Sequence, residues 1–405
     1  MDKRDFADSV LDDLFRPAAF KINISLSELF DKRIQELDIT KTASLEVMKI
    51  ERLSLNGILE GTQRRTDFLN LAKLSRFLRV NKEEVVRLYI DALQKNFPEI
   101  AELSTSSIEF IKLNFDLAAL RSAGVIDSIS DFQSIEQSLT NHFGLKSIFD
   151  FRVSDVRPAF SAAKGEVKNR GSRIFWLESA IDKCKLINNP YDYDRKGLID
   201  YFSQIRWHSL NVEEGLISII KDLFKLGITV IYQPTMADLK LKGATFSVNN
   251  KPCVVISNYR GFYTTLWFTL LHELFHVIFD WEEIVVGQYH LSEEKPDSLT
   301  VREKEIEADY FAREYLLPKS KYEVIRPHII DPDYVEKFAR DHHFHHSFIY
   351  TFYALDRGES NRSAWAKANK MNPNFEPLLC QIGSDWKQKL SNIEWITSKR
   401  DILYN

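Results

Sequence analysis

The sequence predicts an α+β chain, mainly helical with a small β-sheet: an N-terminal helical bundle, a helical connector, and a larger C-terminal domain. Three observations carry that expectation. Apolar residues recur at helical spacing through most of the chain, as at Leu26, Leu29, Phe30, Ile34 and Leu37. β-rich runs gather in one stretch, at Thr229 to Tyr232, Ala244 to Val248 and Cys253 to Ser257. Gly61, Gly124, Gly227 and the polar residues Asp127 to Ser130 punctuate the rest. With 405 residues and 44% hydrophobic content, more than one core is affordable. The expected boundaries are 20–80 for the bundle, 81–157 for the connector, 158–358 for the main domain and 359–405 for a C-terminal extension.

The first helix is expected over Leu26 to Leu37, started by Ser25 or Ser27. Lys41 to Met48 and Arg52 to Leu59 form the next two, the second stopped by Gly61, and Asp67 to Leu78 closes the bundle. From Val80 to about Arg152 the pattern stays helical, broken at Pro98 and Gly124, and shows no chemistry. Beyond Pro158, helices at Ile174 to Ile187 and Glu213 to Leu226 lead into the strand at Thr229 to Tyr232. Asn249-Asn250-Lys251-Pro252 joins the two later β-rich runs as a hairpin, whose strand would lie where it could hold an extended peptide. Val301 to Leu317, ending at Pro318, is the next clear helix. Lys367 to Asn405, rich in aromatic and charged residues, reads as a helical cap.

Composition excludes several classes. A net charge of −4 makes no global case for nucleic acid or an anionic membrane, so any basic surface has to be local. Asp2, Asp5, Asp8, Asp12 and Asp13 occupy the start where a signal peptide would be basic and then apolar, so a cytoplasmic location is expected. The most apolar run, Leu266 to Phe279, is too short for a bilayer and carries His272, Glu273 and His276. Cys184, Cys253 and Cys380 are too few and too scattered for a disulfide framework or a cysteine-bound zinc. A metal would need histidine and carboxylate.

His272-Glu273-Leu274-Phe275-His276 supplies them. Residues four apart on a helix lie within about 40° of each other, so both imidazoles can reach one ion. Zinc with three protein ligands keeps a position open for water, and Glu273 stands beside the first histidine to take its proton. The plainer alternative, a buried helix with two hydrogen-bonded histidines, leaves costly polar groups among Leu, Phe and Val. A third ligand should come from Val301 to Leu317, which offers Glu303, Glu305, Glu307, Asp309 and Glu314. Centring the apolar arc on Ala308, Phe311, Ala312 and Tyr315 puts Glu305 and Glu307 both at its edges, and periodicity leaves them open. His342, His343, His345 and His346 form a second dense cluster, read either as a metal site or as a structural and surface feature.

His272-Glu273-Leu274-Phe275-His276, followed by Glu307-Ala308-Asp309-Tyr310-Phe311-Ala312 and Leu316-Leu317-Pro318, resembles the ImmA/IrrE metallopeptidases. The likeness runs over roughly Pro158 to Leu355 and includes Gly243-Ala244, Lys251-Pro252 and Trp267-Phe268-Thr269-Leu270. It implies a zincin-like domain of the gluzincin type. His272, His276 and Glu307 would hold Zn2+, Glu305 being the alternative third ligand. Glu273 would be the general base, and Asp309 a hydrogen-bonding support behind a ligand. Phe275 stands where the family usually has glycine.

Ile39 to Gly61 resembles the helix-turn-helix of XRE-type repressors, with Lys49 in place of the usual turn glycine. The resemblance makes Lys41, Arg52, Ser54 and Asn56 candidates for the major groove, and Arg64 and Arg65 for phosphates. From Lys41 to Arg79 there are eight Lys or Arg against four Asp or Glu. The competing expectation is a helical bundle used for homodimerisation or for docking a repressor.

The resembled family cleaves helix-turn-helix repressors. The leading expectation is therefore a regulatory endopeptidase whose partner is such a repressor, relieving repression after stress, DNA damage or a mobile-element signal. The alternative is a DNA-binding regulator or antitoxin-like protein whose peptidase-like domain senses a ligand. A general aminopeptidase ranks last, since nothing marks an amine-binding carboxylate among Glu282, Glu283, Glu293 and Glu294. His290, Tyr263 and His345 are the candidates for stabilising an oxyanion.

Overall fold

The computed structural model describes residues 24–63, 65–97, 105–154, 157–158, 169–236, 239–286, 288–293, 299–358 and 360–405. They form two compact units that divide between residues 97 and 105.

The first unit contains α1 (Leu26–Glu36), α2 (Lys41–Met48), α3 (Arg52–Leu59), α4 (Phe68–Leu78) and α5 (Lys82–Asn96). Ser25, Thr40, Asp67 and Asn81 each accept a backbone N–H at the start of α1, α2, α4 and α5, and Glu28 completes a reciprocal cap with Ser25. Leu26, Phe30, Leu55, Ile58 and Leu74 make the centre of the core. The boundary expected at residue 80 is corrected here. Helix α5 sends Val85, Leu88, Tyr89 and Leu93 into the same core, so it completes the bundle. Between α2 and α3 the backbone reverses at Lys49, held at φ 50° and ψ 52°. That left-handed conformation costs a residue with a Cβ about 1–2 kcal/mol, offset here by the burial of Ile50 next to it.

The second unit begins with α6 (Thr105–Asn114), α7 (Leu117–Ala123), α8 (Phe132–Phe143) and β1 (Arg157–Pro158). Then come α9 (Arg170–Ile187), α10 (Arg195–Phe202), α11 (Gly215–Lys225), β2 (Thr229–Tyr232), β3 (Leu241–Val248) and β4 (Lys251–Ile256). The ligand-bearing part follows as α12 (Tyr263–Phe279), α13 (Trp281–Val285), β5 (Gln288–Glu293) and α14 (Leu299–Leu316). The chain finishes with α15 (Lys319–Ile325), α16 (Pro332–Asp341), α17 (Ser347–Arg357), α18 (Arg362–Met371), α19 (Glu376–Ile382) and α20 (Asn392–Leu403).

The five strands lie in the order β1-β5-β3-β4-β2. β3 runs antiparallel to both β4 and β5, while β2 with β4 and β1 with β5 are parallel pairs. Asn249 and Asn250 take φ 53° and 58°, a two-residue turn of the kind that matches strand twist. Lys251 and Pro252 therefore belong to β4, not to the turn. The idea that the hairpin offers a strand to a peptide is also corrected: β3 is hydrogen-bonded on both sides, so its own edge is closed.

One core runs through the whole second unit, from Ile111 in α6 to Tyr404 beyond α20. This overturns two expected divisions. Ile111, Ile135 and Leu139, in the stretch read as a connector, pack into that core, and so do Leu379, Trp395 and Leu403 from the stretch read as an extension. Their apolar spacing was visible in the sequence, but which core they served was not. Among the described residues no helix is long and apolar enough to cross a membrane.

Candidate metal centre

Helix α12 is buried on almost every side, with Leu270, Leu271, Leu274 and Val277 at no exposure. Its first turn is capped from a distance, Asn372 Oδ1 accepting from Tyr263 N at 2.9 Å. At its other end Tyr193 Oη and Arg195 Nε donate to the carbonyls of Val277 and Ile278, each at 3.0 Å. A helix fixed at both ends holds His272 and His276 on one face, and α14 packs along that face.

The two imidazoles converge. His272 Nε2 and His276 Nε2 are 3.3 Å apart. Glu305, from α14, brings one carboxylate oxygen to 3.2 Å from His272 Nε2 and the other to 3.3 Å from His276 Nε2. Each outer ring nitrogen is committed elsewhere: His272 Nδ1 meets Asp309 Oδ1 at 2.9 Å, and His276 Nδ1 meets Asp280 Oδ2 at 2.8 Å. Donation to those carboxylates leaves both Nε2 lone pairs facing the same point.

These distances fit a metal. A tetrahedral ion with bonds of about 2.0–2.1 Å separates its ligand atoms by about 3.3–3.4 Å, and the gaps here are of that size: 3.3 Å between the nitrogens, 3.2 Å from His272 Nε2 to Glu305 Oε2 and 3.3 Å from His276 Nε2 to Glu305 Oε1. Glu305 Oε1 is buried and faces His276 Nε2 at 3.3 Å without the geometry of a full hydrogen bond, as a group aimed at a shared ion would. Among the described residues, His272, His276 and Glu305 are the group of donors able to hold an ion.

Electrostatics point the same way. Burial opposes charge on His272, but the hydrogen bonds to Asp309 and Glu305 outweigh it and push its pKa up to about 10. Burial likewise opposes charge on His276, and Asp280 and Glu305 reverse it, raising its pKa. Burial would raise the Glu305 pKa, yet the two imidazoles hold its carboxyl far below the usual range. All three shifts say that this pocket favours positive charge between its ligands, which a proton or a divalent ion can supply.

The expected third ligand, Glu307, is not the one brought to the histidines. It is exposed on α14, while Glu305 is 6% exposed and faces α12. Two residues along a helix turn about 200°, so one choice puts the other on the opposite side. Asp309, four beyond Glu305, shares its face and reaches His272. Glu307-Ala308-Asp309 carries the likeness, whereas the geometry selects Glu305, two residues before that run.

Glu273 is fully buried and its Oε2 accepts from Thr245 Oγ1 on β3 at 2.6 Å. A Cβ at Gly243 would lie 2.5 Å from Glu273 Oε1 and 2.7 Å from the Val255 carbonyl, so glycine there makes room for the acid. Asp280 also accepts from Lys304 Nζ at 2.7 Å, tying α12 to α14 behind His276. Sequence reasoning missed Thr245, Asp280 and Lys304. Asp280 did leave a signal, since it follows His276 by four residues on the same helix face. Thr245 left none.

The remaining candidates are dispersed. Tyr263 Oη donates to the Ser209 carbonyl at 3.0 Å, deep in the core. His345 is buried against Ser347, which its Nδ1 contacts at 2.8 Å, and burial lowers its pKa to about 3. Of His290 the structure describes only the backbone, opposite Thr245 in the β3–β5 register. The cluster at 342–346 forms no common site: His342 Nδ1 meets the Phe338 carbonyl at 2.8 Å, and the His343 ring packs on Trp207 at 4.9 Å. Phe275, in the position read as a departure from glycine, packs on Phe279 and Phe311 with centroids 4.6 and 5.4 Å away.

In the first unit, Arg52 and Arg65 are exposed. Lys41 is half-buried with Nζ 5.8 Å from the Phe30 ring centre, Ser54 is half-buried, and Asn56 Oδ1 is buried without a partner. Asn56 as a whole is half-buried, so its Oδ1 points inward while part of the side chain meets solvent. Arg64 lies outside the described residues.

Residues 225–348 match the model of a peptidase family, Peptidase_M78, described as an IrrE N-terminal-like domain. The matched stretch contains α12 and α14, and supports a metallopeptidase-type function of the ImmA/IrrE kind. No curated protein and no solved structure matches the chain.

Proposed function

We propose that this chain is a zinc-dependent endopeptidase whose substrate is a helix-turn-helix repressor, and that cleavage relieves repression in response to stress, DNA damage or a mobile element. The observation that carries the enzymatic part is the triangle of His272 Nε2, His276 Nε2 and the Glu305 carboxylate, with 3.2–3.3 Å edges beside a buried Glu273. His272, His276 and Glu305 hold the ion, and Asp309 and Asp280 fix the two rings. A zinc ion bound there supplies a Lewis acid that polarises the scissile carbonyl and acidifies water toward pKa 7, about nine units below bulk water.

Glu273 is the general base. Its carboxylate, held on one oxygen by Thr245 Oγ1, takes a proton from the attacking water and returns it to the leaving amine as the peptide C–N bond breaks. Burial keeps competing solvent away from that exchange.

The likeness of Ile39 to Gly61 to XRE-type repressors supports a regulatory setting. A bundle of that kind either reads DNA through α3, with exposed Arg52 at its start, or pairs with the repressor that is cut. A DNA-binding regulator with a sensory peptidase-like domain is the second reading, favoured by the same bundle.

The test measures bound zinc, DNA affinity and cleavage of a co-encoded repressor for the wild-type protein and for Glu273→Gln and His276→Ala. Glu273→Gln is expected to keep zinc and lose cleavage, and His276→Ala to lose both. Wild-type protein that binds no zinc overturns the enzymatic reading, and DNA binding without any cleavage favours the second one.

A further inference from the structure

Far from α12 along the chain, the second unit has a cavity of about 130 Å³ between α8, α9 and the segment leading into α20. Lys183, His142, Trp386 and Trp395 form its inner wall, and Asn141, Asp385 and Lys389 lie at its exposed rim. None of these belongs to the metal centre.

Lys183 is the unusual member. It is only 4% exposed. Its ammonium donates to Gln233 Oε1 at 3.1 Å and sits 5.2 Å from the Trp386 ring centre and 5.0 Å from that of Trp395. No carboxylate lies within 4.0 Å of it among the described residues. An ammonium has three donors, and a buried charge ordinarily finds a counter-ion. Here its hydrogen-bond acceptor is neutral and its ring neighbours are two indole faces; burial lowers its pKa to about 7, only partly offset by the neighbouring Cys184 and Asp182.

The neighbouring polar groups are satisfied. His142 Nε2 meets Ser179 Oγ at 2.6 Å, and its ring is also hydrogen-bonded to the Leu390 backbone. Gln233 Nε2 donates to the Trp176 carbonyl and its own backbone N–H to Ile256. Trp176 and Trp386 share the Pro234 carbonyl, at 3.0 and 3.2 Å. A closed hydrogen-bond frame therefore holds a single under-partnered cation beside empty space. Holding a buried cation this way costs stability, which a bound anion would offset.

We propose that this cavity binds a small monocarboxylate, its anionic end on the Lys183 ammonium and its apolar body against the indoles of Trp386 and Trp395. The volume resembles that of cavities that take a benzene-sized guest, about 150 Å³. One buried ammonium balances one negative charge. Phosphate, with charge near −2 and several acceptors, would need donors that the inner wall does not provide.

The experiment uses the full chain. Tryptophan fluorescence and calorimetry are recorded while acetate, propionate, benzoate, propionamide and inorganic phosphate are titrated at constant ionic strength. Propionate or benzoate is expected to saturate a single site, while the uncharged propionamide fails to. Lys183→Met keeps the stem volume and removes the charge, and it should weaken carboxylate binding about tenfold or more while leaving bound zinc unchanged. The amide comparison needs no variant, so it decides the matter even if Lys183→Met folds poorly. Equal response to propionamide, unchanged binding in folded Lys183→Met, binding of phosphate alone, or no saturation by any carboxylate each overturns the proposal.

Discussion

Thr245 Oγ1 stands 2.6 Å from Glu273 Oε2, and this contact joins the middle strand of the sheet to the helix that carries both histidines. A hydroxyl donated to a buried carboxylate favours its ionised form, which a general base requires. Thr245→Val keeps the shape and removes the donor. Cleavage should fall about tenfold with bound zinc unchanged, read by repressor cleavage beside metal analysis. An undiminished rate would show that the strand does nothing for the acid.

Gly243 presses on the same acid from the other side. In Gly243→Ala the new Cβ meets Glu273 Oε1 at 2.5 Å and the Val255 carbonyl at 2.7 Å, so either the acid or the strand has to move. Thermal unfolding should show a loss of about 1–3 kcal/mol. Cleavage should fall further than this loss explains.

Glu305 and Glu307 separate cleanly by substitution. Glu305→Gln removes the anionic ligand and should lower zinc affinity by a factor of about a hundred or more. Glu307→Gln changes an exposed side chain and should leave it within about twofold. Competition with a chelator measures both, and the reverse order would restore Glu307 as the ligand.

Behind His276, Asp280 ought to matter through the metal. Asp280→Asn weakens the hold on Nδ1 and on Lys304, and zinc affinity should drop about 10–100-fold. Lys304→Met, which leaves the His276–Asp280 contact in place, should do less.

His142 governs part of the acid sensitivity. Burial, aided by the Lys183 charge and partly offset by a backbone hydrogen bond to Leu390, lowers its pKa from 6.5 to about 3 in the folded protein. The folded value is depressed, so its contribution is complete above pH 6.5 and is lost as pH falls toward 3. At pH 4 the loss amounts to about 3 kcal/mol. Denaturant titrations at several pH values should show a shallower acid limb for His142→Gln than for the wild type, and parallel limbs would contradict the assignment.

Much of this was legible in the sequence. The helices at Lys41–Met48 and Arg52–Leu59 and the strand at Thr229–Tyr232 fall where apolar spacing, Gly61 and Gly227 put them. His272, Glu273 and His276 sit on one helix because their spacing is local. What failed was everything set by distant partners. Glu305 and Glu307 have equal standing on a helical wheel, and only the packing of α14 on α12 separates them. Residues 82–96 and 376–404 have ordinary amphipathic patterns, which say that a face is buried and not against what. Thr245 is one β-branched residue in a strand until α12 is laid across it.

The last feature bears on how the molecule is made. Tyr404 Oη bonds the Val230 carbonyl, 174 residues back along the chain, and its ring packs on Phe224 with centroids 5.2 Å apart. At a synthesis rate of about 5–20 residues per second, β2 waits roughly ten to thirty seconds on the ribosome for that partner. During the wait the buried parallel pair of β2 and β4, with Val230, Ile231, Val254 and Val255 at its centre, lacks that contact. Nascent chains of this protein should therefore lean on chaperones until Tyr404 has emerged.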